Sequence, residues 1–157
     1  MELIKNFTDP NVGVYNGEDR IVHVPFAAST VFKRRGGKAV VLNHRYEAAT
    51  AAASNLAGFA EVEEVGTSAG RPVTVADGDT LAVNFGLQKT AVLPTTGRVA
   101  TAADVGKDFD VYVDANGIQM VNLSNTSKQV LRVSALVTKG GEYVACAIPP
   151  TKRYGDI

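Results

Sequence analysis

The chain has 157 residues, and its 16 Lys and Arg balance its 16 Asp and Glu to a formal net charge of zero. That length favours one domain with a modest core, and the neutral balance argues against a general nucleic-acid binder, which needs a basic excess to neutralise phosphates. The single cysteine, Cys146, excludes a disulfide within the chain and a cysteine-based zinc cage, and no run nears the ~18 apolar residues of a spanning helix.

In chain order, "MELIKNFTDPNVGVYNGED" (1–19) has no sustained periodicity and no long apolar run, so it reads as an arm and not as a signal peptide. With one thiol and no signal-peptide pattern read, the protein is expected to be made and used in a reducing interior, or assembled there before release. "RIVHVPF" (20–26) alternates as a strand, with Pro25 placing its end at an edge or bulge. "VFKRRGGKAVVLN" (31–43) reads as two strands about a basic hairpin turn at Gly36-Gly37. "YEAATAAASNLAG" (46–58) holds the good helix formers, as a brief helix capped by Gly58 or as a packed loop.

Strand-like runs follow at 59–65, 71–76, 80–85 and 89–94, each bounded by turn residues. "TAADVGKDF" (101–109) suits a single helical turn capped by Thr101. Strands are expected again in "DVYVD", "GIQMVNL", "QVLRVSALVT" (129–138) and "EYVACAI" (142–148), closed by Pro149-Pro150. The fold class is therefore all-β: a small barrel or sandwich of short antiparallel strands, with an extended N-terminal arm and at most one or two short helices. The division is arm 1–19, one β domain 20–148 and a polar tail 149–157.

Charge is uneven along the chain. Residues 20–45 hold Arg20, Lys33, Arg34, Arg35, Lys38 and Arg45 without an acid, whereas 46–86 hold Glu47, Glu61, Glu63, Glu64, Asp77 and Asp79 against Arg71. Such blocks steer one protein surface toward another, unless strand pairing interleaves them.

Motifs for chemistry are incomplete. Asp114, Asn116 and Gly117, with Asp108 and Asp110 upstream, suggest half a calcium loop. Counted from Asp108, however, Val113 fills the glycine position and Gln119 the twelfth, where a bidentate Glu belongs. Asn-Gly between alternating strands instead spells a hairpin turn. "RRGGKAV" lacks the phosphate-loop spacing and its hydroxyl. His23 and His44 have no metal-type spacing, no serine sits in a nucleophile elbow, and Cys146 lies in an apolar run where thiols are inert. Glu63-Glu64 and Asp77/Asp79 are paired acids, the latter in a turn-like context. No enzyme activity, cofactor or metal is expected.

Four segments, "AGFAEVEEV" (57–65), "KTAVLPTTG" (89–97), "DVGKDFDVYVDANGIQMV" (104–121) and "VLRVSALV" (130–137), resemble tailed-bacteriophage capsid decoration, or cement, proteins. The resemblance spans roughly 57–148 and is one of style and strand order. It implies a small β-barrel without catalytic machinery, a homotrimer on the outer capsid surface of the virion at threefold or quasi-threefold positions. Its partners would be the major capsid protein and itself, with no nucleic acid and no membrane, after assembly in the host cytoplasm. The arm and the basic turn are then the expected contacts with capsid or between protomers: Phe7, Tyr15, Lys33, Arg34, Arg35 and Lys38. The rival readings are a virion-surface module for a glycan or host receptor, and a small hydrolase using His23 or His44.

Overall fold

A computed structural model describes residues 19–27, 30–32, 39–43, 45–61, 73–74, 80–86 and 89–153. The chain is all-β. Its strands are β1 (Ile21–Pro25), β2 (Val31–Phe32), β3 (Ala39–Asn43), β4 (Arg45–Ala48), β5 (Gly58–Ala60), β6 (Val73–Thr74), β7 (Thr80–Asn84), β8 (Ala91–Thr96), β9 (Asp108–Val113), β10 (Gln119–Asn122), β11 (Leu131–Leu136) and β12 (Tyr143–Ala147). Helix among the described residues is confined to 3₁₀ turns at Ala102–Asp104 and Pro150–Lys152. None of it is long and apolar enough to cross a membrane.

The C-terminal half closes into a five-stranded barrel in the order β10-β8-β12-β11-β9. One of its pairings, β8 with β10, is parallel, against the expectation of antiparallel strands throughout. Parity is the reason: neighbours in an antiparallel ring alternate in direction, and an odd number of strands cannot alternate all the way round. The N-terminal half follows the same logic. Its sheet, β1-β7-β5-β3-β4, is antiparallel throughout. Its two outer strands meet in a single parallel bridge, Phe26 to Tyr46, reinforced by the Ala27 N–H donating to the Tyr46 carbonyl at 2.9 Å.

Alternation along the strands sorts side chains between two cores. Inside the barrel lie Leu93, Phe109, Val111, Val121, Leu131, Val133, Val144 and Cys146, and the same cluster takes in Ala39, Val41, Ala49, Leu56 and Phe59 from the first half. The opposite face of the N-terminal sheet packs Val24, Phe26, Val40, Ala60 and Val83, with Tyr46 and Phe85 packed edge to face. The N-terminal sheet thus seals the barrel with one face and builds a second core with the other.

Several local expectations need correction. β2 pairs with β6 and not with β3, so Val31–Asn43 is not a hairpin; β3 pairs with β4 and β5. The alanine-rich stretch takes the packed-loop alternative after β4, and only the helix-capping role of Gly58 is overturned, since Gly58 opens β5. A Cβ at Gly58 would stand 2.6 Å from the Asn84 carbonyl oxygen, so only glycine lets β5 lie against β7 there. The polar tail does not begin at 149: Pro149 is buried, Leu56 bridges Arg153, and the Leu56 N–H donates to the Lys152 carbonyl at 2.9 Å.

Candidate interaction surface

The six expected contact residues, Phe7, Tyr15, Lys33, Arg34, Arg35 and Lys38, lie outside the described residues, as do His44, Glu63, Glu64, Asp77 and Asp79. What the structure describes is how the remaining polar groups are used and which apolar groups face water.

The Asp114 stretch is a hairpin. Val113 pairs with Gln119, and the Asp114 N–H reaches the Ile118 carbonyl at 3.0 Å, leaving a three-residue loop, 115–117. Gly117 takes φ +79°, whereas Asn116 is not left-handed, so the loop is not the two-residue turn in which both central residues need positive φ. One Asp114 carboxylate oxygen accepts the N–H groups of Asn116 and Ile118 at 2.8 and 2.9 Å. That oxygen braces a turn.

Among the described residues, Asp104 is the most committed carboxylate. It is almost fully buried and takes a two-pronged contact from the Arg98 guanidinium, both hydrogen bonds at 2.7 Å, plus the Thr101 N–H at 2.8 Å. The Arg98 fork, helped by the Thr101 amide and opposed by burial, holds its carboxyl well below the usual range. Thr101 does occupy the N-cap position of the turn, with its N–H held by Asp104, but the decisive partner, Arg98, six residues upstream of Asp104, carries no local signature. Asp110, also buried, accepts the Lys128 and Gln129 N–H groups at 2.7 and 2.9 Å and so fastens the 123–130 loop to the barrel wall. The loop's strained point is Gln129, held at φ +55°.

Gln119 joins the two halves. Its carbonyl oxygen accepts the Ala39 N–H at 2.8 Å, and its amide donates to the carbonyls of Ala39 and Ala49 at 3.0 and 2.8 Å. The side-chain amide thereby behaves as one more peptide group beside β3. At the end of β7, between β1 and β5, Asn84 plays a similar part, accepting the N–H groups of Arg20 and Gly86 and donating to the carboxylates of Asp19 and Glu61. A strand-pattern reading finds neither residue, because a polar residue in a strand looks solvent-facing until its partners, 80 positions away for Ala39 and Gln119, are known.

His23 is exposed on the edge strand β1, opposite Ala82. Cys146 is fully buried, and burial pushes its thiol upward, away from thiolate formation. Among the described residues, no three His, Cys, Asp or Glu side chains gather where they could hold a metal ion. Among the described residues, the large apolar side chains facing water are Ile21, Val22 and Leu42 on the N-terminal sheet, Val99 and Val105 on the loop that Asp104 fastens, and Tyr112 and Tyr143 on the outer barrel wall. Across the strands Tyr112 stands beside Met120 and Tyr143 beside Pro94. The aromatics, sparse in the sequence, are thus partly displayed.

No family model, no curated protein and no solved structure matches the chain.

Proposed function

We propose that this protein is a virion component that seats on the outer surface of a tailed-phage capsid and stabilises it by bridging neighbouring major capsid proteins, as a homotrimer. The observation that carries the reading is the use of its polar groups. Asp104, Asp110, Asp114, Asn84 and Gln119 hold loops and sheets in place, while valines and tyrosines face water on rigid supports. Surfaces built so present preformed contacts, and aromatic groups are enriched where proteins meet. Three of the four segments that resemble decoration proteins form β8, the β9–β10 hairpin and β11 of the barrel.

The physics of such a role is linkage. A protein that binds the assembled lattice and not its dispersed subunits stabilises the lattice, and threefold presentation multiplies weak contacts into avidity. The arm and the basic block, through Phe7, Tyr15, Lys33, Arg34, Arg35 and Lys38, are the proposed contacts. Co-sedimentation with undecorated capsids of the same source, comparing the full chain with one lacking residues 1–16 and one with Lys33, Arg34, Arg35 and Lys38 neutralised, tests that assignment. Reduced occupancy for the variants is expected; occupancy equal to that of the full chain refutes the arm and the turn as contacts.

The exposed rings of Tyr112 and Tyr143 favour one alternative, a virion-surface module that stacks on a glycan or host receptor. A glycan-array signal lost in Y112A or Y143A would select it.

A further inference from the structure

We infer that Asn116 is a spontaneous modification site, and that Asp114 restrains its conversion to aspartate and isoaspartate. The reaction needs only water. The Gly117 backbone nitrogen attacks the Asn116 side-chain carbonyl carbon, giving up its proton to solvent; the new N–C bond forms as the amide C–N bond breaks and ammonia leaves. Water then opens the cyclic imide at either carbonyl. Opening at one restores a normal backbone carrying a carboxylate; opening at the other leaves isoaspartate, with an extra methylene in the main chain.

Two observations make the site open to this chemistry. Asn116 and Gly117 are both exposed at the tip of the β9–β10 hairpin, and glycine offers no side chain to block the attack. Two others hold it back. The attacking nitrogen is engaged, its N–H donating to the Asp114 carbonyl at 2.9 Å, and the Asp114 carboxylate grips the flanking N–H groups of Asn116 and Ile118. Conversion therefore waits on opening of the turn, and Asp114 sets how often it opens.

The position gives the reaction a consequence. Gln119, whose side chain ties the barrel to β3, lies three residues beyond Asn116, and its register opposite Val113 is set by this loop. An added methylene lengthens the loop directly before that tie.

The chain supplies its own control, a second Asn-Gly pair at Asn16-Gly17. The full-length protein and D114A, D114N and N116Q variants are aged in mildly alkaline buffer and digested, and the amide-to-acid mass shift and isoaspartate are read at each pair. Two charge-assisted hydrogen bonds hold the turn, so Asn116 should convert at least about tenfold faster in D114A than in the parent. D114N should be intermediate, the N116Q site silent, and Asn16 unchanged throughout. Equal rates at Asn116 in the parent and D114A, or an equal rise at both pairs, overturns the inference. So does conversion in the parent as fast as in a synthetic peptide spanning residues 110–121.

Discussion

Asp104 shows how a single side chain shapes what the molecule displays. Its carboxylate fixes the loop that carries Val99 and Val105 into water, using Arg98 and the Thr101 amide. Because its folded pKa is depressed, the stabilisation is complete above the ordinary carboxylate value of ~4 and is lost as pH falls toward the lower folded value. Urea unfolding of D104N should therefore show a loss of about 1–3 kcal/mol at neutral pH, with the gap to the parent narrowing below about pH 4. A gap that stays constant with pH would show that the carboxylate's charge is not what holds the loop. Cys146 gives a second residue-scale test. Buried and with its thiol pushed away from ionisation, it should react with a thiol reagent only as fast as the chain opens, and denaturant should raise the rate steeply. Sequence placed Cys146 correctly, since its strand is apolar on both sides. It could not identify Arg98 as the partner of Asp104, because no short-range pattern links positions six apart in a loop.

At the scale of elements, the barrel strands were largely legible and the N-terminal pairings were not. β8 to β12 show alternation bounded by turn residues, and the Asn-Gly hairpin carries its own chemistry. β2 with β6 is another matter: two-residue strands joined across some forty positions leave no periodicity, and proximity in sequence pointed wrongly to β3. The alanine-rich stretch left helix and packed loop both open, and the loop prevails because helix propensity over so few residues yields to packing against the barrel. Gln119 is where the elements depend most on one side chain. Truncation leaves the Ala39 N–H and two carbonyls buried without that partner. Q119A should cost about 2–4 kcal/mol in urea unfolding and speed hydrogen exchange at the Ala39 amide more than at β12 amides. Q119E should be worse, because a carboxylate would face those two carbonyls. Uniformly faster exchange would contradict a local tie.

For the whole molecule, a closed five-stranded barrel and a five-stranded sheet carry two cores, the barrel's extending onto one face of the sheet, and each five-stranded set includes one parallel contact. The all-β class was readable from the short valine-rich runs; the approach of the N-terminal sheet's two ends was not, because it rests on the single Phe26–Tyr46 bridge. The residues proposed to make the capsid contacts are legible in sequence only as charge and arm composition, and they lie outside the described residues. The role itself is thus a question for the assembled particle. Electron-microscopic imaging of undecorated capsids incubated with the full-length protein tests it most directly. The proposed role predicts added density in sets of three at threefold and quasi-threefold positions, saturating with concentration. Capsids that stay bare at saturating protein, with the chain recovered folded in solution, would contradict it.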